Sequence, residues 1–125
     1  MMKEIIAIIR MNKVSQTRKA LADAGFCRMT ALKVMGRGKL LKELSMVDSA
    51  SEEQRDMVLE SLLKGGRLIP KRMLIILVND EEVQKVVETI ISVNKEGHIG
   101  DGKIFVLPVL DVVRVRTGET GKEAI

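Results

Sequence analysis

The sequence predicts an α+β fold, a ferredoxin-like β-α-β-β-α-β sandwich. Three observations predict it. The chain of 125 residues is the size of one domain. It reads as strand–helix–strand twice, with "EIIAII" and the helix after it echoed by "MLIILV" and the helix after that. A long stretch without strand character, about residues 37–69, separates the halves between the second and third strands. We therefore treat residues 1–125 as one domain carrying one insertion.

The first element, "KEIIAIIR" at 3–10, is a short β-branched run that reads as a strand buried on both faces. "SQTRKALADAG" at 15–25 reads as a helix, with Leu21 three residues before Ala24, Ala20 four before it, and Gly25 as the stop. "RMTALKVMG" at 28–36 is the second strand. In the insertion, "DSASEEQRDMVLESLLKGG" has the pattern of an amphipathic helix. Ser51 and Gln54 form a capping box, and Val58, Leu59, Leu62 and Leu63 lie on one stripe. "RMLIILVN" at 72–79 is the third strand. Asn79 and Glu82 cap the helix that follows, whose stripe is Val83, Val86, Val87, Ile90 and Ile91. "KIFVLPVLD" is the fourth strand, and "VVRVRTGE" a last extended piece. Both helices cover one face of such a sheet. The other face is left aliphatic and bare, which predicts an oligomer.

Composition narrows the function classes. A chain this long buries roughly two-thirds of its unfolded surface, so it carries its own core. That core is aliphatic, since there are two Phe and no Trp or Tyr. The net charge of +4 and pI near 9.4 permit an anionic partner. The scarcity of stacking aromatics argues against nucleic acid. Cys27 is the only cysteine, which fits a reducing compartment, and reads as a small hydrophobe near a helix end. The apolar opening is too short for a secretory core, and no run approaches the ~20 residues of a membrane span. The expected location is the cytoplasm. With one His and one Cys, no catalytic constellation emerges, and His98 reads as a surface turn residue.

"GHIGDGKIFVLP" at 97–108 concentrates glycine, an acid and Lys103 at a strand entry. It reads either as a tight turn or as an anion cradle of bare backbone amides. Arg114 and Arg116 tilt the balance. In an extended segment they point the same way, about 6.8 Å apart. There they repel by about 2 kcal/mol at an effective dielectric of about 20. In a cleft they need an anion of more than one charge, such as a triphosphate. "GRGK" at 36–39 and Lys71 at the insertion's exit add glycine and charge at strand ends. Neither has the spacing of a Rossmann or Walker loop.

Together "EIIAIIR", "MTALKVMGRGK", "LIPKRMLIILV" and above all "GDGKIFVLPVLDVVRVRTGE" resemble the PII nitrogen-regulatory signalling family. The wording and the long insertion are closest to its nitrogenase-linked branch. The resemblance implies a homotrimer that binds ATP or ADP in the clefts between subunits. Gly100, Asp101, Gly102 and Lys103 would line the phosphate cradle, and Arg114 and Arg116 would reach the phosphates from a subunit edge. Gly36 and Gly38 would border the nucleotide, with Lys39 where the family usually has Arg, and Thr30 would touch the base. Lys71 stands at the position that pairs with a carboxylate of 2-oxoglutarate. Leu40 replaces a Gln that commonly binds Mg²⁺ and 2-oxoglutarate, so Mg²⁺ loses a usual ligand. The insertion corresponds to the effector loop, longer here than usual. It has no Tyr, which excludes control by tyrosine uridylylation. Met46, Met57, Leu59, Leu62 and Leu63 are the candidate partner contacts. The resemblance implies dinitrogenase as target and a second related form acting in a mixed assembly. A transporter or another metabolic enzyme is the alternative target.

Overall fold

The computed structural model describes residues 1–37 and 68–125. Strands β1 (Met2–Ile9), β2 (Thr30–Gly36), β3 (Ile69–Asn79) and β4 (Lys103–Val109) form one antiparallel sheet in the order β2-β3-β1-β4. Helix α1 (Val14–Asp23) connects β1 to β2, and α2 (Val83–Asn94) connects β3 to β4. This is the ferredoxin-like arrangement that the internal echo predicts. Gly38, Lys39, Leu40, Met46, Met57, Leu59, Leu62, Leu63 and the Ser51–Gln54 helix start lie outside the described residues.

Side-chain alternation decides which face each residue serves. Ile5, Ala7 and Ile9 of β1 and Leu74, Ile76 and Val78 of β3 turn to the helices. There they pack with Leu21, Val86 and Ile90 into the core. The α1 stripe is Thr17 and Leu21, one turn apart, rather than Leu21 with the alanines. Thr17 is tolerated there because its hydroxyl donates to Lys13 O at 2.7 Å and accepts Asn94 Nδ2–H from α2 at 3.0 Å. On α2, Ile91 turns out to solvent and Asn94 takes the buried place instead. Glu82 Oε1 accepts the Asn79 backbone N–H at 3.0 Å, the capping contact expected at this helix start.

Strand β1, expected to be buried on both faces, is fully buried from Ile5 to Ile9 on one face only. Ile6 and Ile8 on the other are half-buried, as are Met73, Ile75 and Leu77 beside them. Leu32, Phe105 and Leu107 on that face are 43%, 46% and 38% exposed. The bare aliphatic surface expected from the topology is present. Two readings need correction. Cys27 is exposed, not packed. The segment after β4 is not an extended strand: Val113 bridges Thr120, and residues 115–117 turn between them. The Gly118 N–H donates to Arg114 O at 2.7 Å to close that turn.

Candidate functional site

The register of the sheet gathers the cradle. Ile8 lies opposite Lys103 on one side and Met73 on the other, and Ile9 lies opposite Arg72. Val34 and Gly36 face Lys71 and Ile69. The end of β1, the start of β3, the end of β2 and the loop before β4 thus meet at one end of the sheet. Arg10, Gly36, Lys71 and residues 95–103 are brought together there.

Within the loop, Asp101 turns inward. Its Oδ2 accepts backbone N–H groups of Glu96 (2.9 Å), Gly97 (2.9 Å) and His98 (3.3 Å). Its Oδ1 takes Arg10 Nη1 at 2.8 Å. Burial pushes the carboxyl up, but the Glu96 amide, Arg10 and the Gly97 amide outweigh it and hold it below the usual range. The side chain therefore shapes the loop and is not free to face a ligand, so its part in a phosphate cradle is as a brace. The amides of residues 96–98 are spent in the same contact.

Two cations close on the loop. Arg10 Nη2 donates to Ile99 O at 3.2 Å, and Lys71 Nζ donates to Gly100 O at 3.2 Å. Arg10 and Lys13 also pair with Glu96, at 3.5 and 3.1 Å. Burial first, and then the charge of Arg10, lower the pKa of Lys71, while Asp101 opposes them. Gly100 has φ +96°, and a Cβ there would sit 3.5 Å from both Arg10 Nη2 and Lys71 Nζ. Its missing side chain leaves a niche flanked by two positive groups. Gly102, at φ +121°, presses on β1: a Cβ there would fall inside the 3.0 Å that real Cβ contacts keep, against Ile8 O. Lys103 is exposed beside it, with no side-chain bond among the described residues. These residues suit an anion: bare backbone, a niche, and cations at its rim.

Arg114 and Arg116 lie elsewhere. Strand β4 runs from Lys103 opposite Ile8 to Val109 opposite Met2, so the two arginines follow its far end. At 3.3–3.4 Å per residue that separates them from the cradle by about 20 Å within one chain. They also do not share one face of a strand, since Arg116 sits in the turn. Arg116 is exposed without a side-chain bond among the described residues, while Arg114 pairs with Glu119 at 2.9 Å. Thr30 is exposed at the start of the edge strand β2. Near it is Arg28, which donates to the Ile125 main-chain oxygen.

Sequence reasoning missed Arg10 and Arg28. Each stands at a strand boundary, where charge has no role in the core. That is the signal that would have found them.

A profile of the family described as "Nitrogen regulatory protein P-II" matches residues 2–119. The "Nitrogen fixation nifHD region GlnB-like protein 2" of Methanobacterium ivanovii is 49% identical over 124 residues, 99% of either chain. The proteins named "Nitrogen regulatory protein P-II 2" and "P-II 1" of Methanothermobacter thermautotrophicus are 45% and 40% identical over 124 residues. Each match spans 99% of this chain and 97% of theirs. Among solved structures, that of Arabidopsis thaliana PII bound to citrate superposes with a TM-score of 0.73 at 32% identity, covering 98% of this chain and 88% of that one. By sequence along its whole length and by fold, the chain belongs to the P-II family of nitrogen regulatory proteins.

Proposed function

We propose that this chain is a non-catalytic, cytoplasmic sensor of nitrogen status. It works as a homotrimer that binds ATP or ADP between subunits and 2-oxoglutarate beside it. The observation that carries this reading is the split of the cations. The cradle and the Arg114–Arg116 turn stand at opposite ends of β4, so only a neighbouring copy brings both onto one ligand. The bare sheet face supplies the surface for that assembly.

In this reading Gly100, Gly102 and Lys103 line the phosphates with Asp101 bracing them. Gly36, Gly38 and Lys39 border the nucleotide, Thr30 touches the base, and Arg114 and Arg116 reach in from the adjoining protomer. Lys71 takes a carboxylate of 2-oxoglutarate. The nucleotide supplies a polyanion that draws these groups together. Mg²⁺ has no Gln ligand at Leu40. Residues 37–69 then present Met46, Met57, Leu59, Leu62 and Leu63 to a partner, in proportions set by each ligand's differential affinity for the available states. The partner is dinitrogenase, supported by the naming of the nifHD-region relatives. The two related proteins of one methanogen support a mixed assembly. A transporter or other metabolic enzyme as target is the competing reading.

Calorimetry with ATP or ADP, with and without 2-oxoglutarate and Mg²⁺, tests the sensing role. Saturable binding at one nucleotide per subunit is expected, lost in Arg116→Ala alone and in Gly102→Ala alone, and partly recovered in assemblies mixed from the two, where one variant's intact cradle meets the other's intact Arg116. A monomer in solution, or an assembly indifferent to adenylates, refutes it. Pull-down with residues 42–65 deleted tests the reader, and retention of the partner would remove that segment from the mechanism.

A further inference from the structure

The second cluster of cations is already occupied by the chain itself. Arg114 Nη1 donates to Glu119 Oε1 at 2.9 Å, and Nη2 donates to the main-chain oxygens of Glu123 (2.9 Å) and Ile125 (3.3 Å). Arg28 Nη1 donates to the same Ile125 oxygen. Two guanidiniums from segments far apart in sequence therefore converge on one oxygen. The segment that bears it is held in place. The Arg114 N–H bonds Glu119 O at 2.9 Å, Gly121 N–H bonds Val112 O and Asp111 Oδ1 at 3.1 Å each, and Ala124 is 9% exposed.

A guanidinium offers five N–H groups in a fixed fork that matches a carboxylate or phosphate. Both hydrogens of Arg114 Nη2 are committed to main-chain oxygens, and one of Nη1 to Glu119. Convergence of two cations on one oxygen is repulsive unless a full anion sits between them. The arrangement has the shape of an anion site filled by the chain's own oxygens.

We propose that residues 119–125 are a built-in competitor for polyphosphate. Glu119 and the oxygens of Glu123 and Ile125 hold Arg114 and Arg28 until an outside phosphate displaces them, and so set its affinity. Arg28 thereby joins Arg114 as a phosphate contact. The inference rests on the nucleotide reading above. Arg116, exposed in its turn, makes the first contact, and release of the segment follows.

The opposite role would be a buttress, in which Glu119 holds Arg114 ready for the phosphate. The two roles predict opposite signs. Binding of inorganic tripolyphosphate and of ATP is measured by calorimetry at fixed ionic strength on the full chain, on Glu119→Gln, and on a chain ending at Thr120. Competition predicts at least threefold tighter binding of both ligands in both variants. It also predicts faster amide exchange at residues 121–125 of the full chain when tripolyphosphate is bound. Arg28→Met should weaken tripolyphosphate binding. If the full chain binds but Glu119→Gln binds equally or more weakly, the competitor is refuted and the nucleotide reading survives. If no form binds either ligand, both fall together. Should truncation impair folding because Ala124 is lost, Glu119→Gln with the exchange measurement decides alone.

Discussion

Gly102→Ala isolates the closest approach in the cradle. The new Cβ would fall inside 3.0 Å of Ile8 O, 3.3 Å from the Ile8 carbonyl carbon and 3.5 Å from Ile9 Cα. Those atoms belong to β1, which is paired on both sides, so they cannot retreat without breaking ladder bonds. A φ of +121° adds strain of its own, of order 1–3 kcal/mol for a residue that is not Gly. Crowding in a packed region adds about 1–3 kcal/mol. The expected loss is therefore about 2–5 kcal/mol. Gly36→Ala is the control: its Cβ would meet nothing within 4 Å and its φ is not positive, so it should stay within about 0.5 kcal/mol of wild type. Urea denaturation at one protein concentration reads both, as a fall in midpoint at unchanged slope. Equal midpoints for Gly102→Ala and Gly36→Ala would show that the loop does not press on β1, and the argument for a rigid cradle would go with it.

Three further outcomes are expected. Asp101→Asn should loosen residues 96–101 and cost about 2 kcal/mol at pH 7, read by amide exchange and denaturation. Because the folded Asp101 pKa is lowered, its contribution is complete above the ordinary carboxylate pKa and is lost as pH falls through the folded value. The gap between wild type and variant should close on acidification, and a gap independent of pH would refute the brace. Lys71→Met should leave stability within about 1 kcal/mol, since a buried cation and one hydrogen bond leave together, yet abolish the 2-oxoglutarate binding proposed above. In wild type that binding should fade with rising pH earlier than a solvated lysine would give, because burial lowers the Lys71 pKa. Asn94→Ala removes the side-chain hydrogen bond between α1 and α2 and should cost about 1–3 kcal/mol. Its effect should not add to that of Thr17→Ala, since both break the same 3.0 Å bond.

The strands and helices were legible because aliphatic runs and turn residues repeat in a simple order. The start of α2 was legible to within one turn from Asn79 and Glu82, whose contact is local in sequence. Two kinds of feature were not legible. Thr17 and Asn94 are polar in sequence and buried in the fold, joined by an Asn94 Nδ2–H to Thr17 Oγ1 bond across a separation that no local pattern spans. The extended reading of residues 112–119 failed because alternation of Val and Arg imitates a strand, whereas Gly118 and the Val113–Thr120 bridge fold it back. In the cradle, the glycines and Lys71 stood out as chemistry. The inward turn of Asp101 depended on Arg10, 91 positions away, and only the antiparallel register of β1 reveals that pairing.

The pairing of Gly36 with Ile69 has a practical meaning. The chain departs from the sheet and re-enters it at neighbouring rungs, so whatever lies between is grafted onto a fixed two-point socket. Lengthening such a graft costs little, about 0.6 kcal/mol for each doubling. A paralogue's segment exchanged at these rungs should leave the four strands and two helices folded as they are, so this stretch can diverge in length and sequence without unsettling the scaffold that carries it.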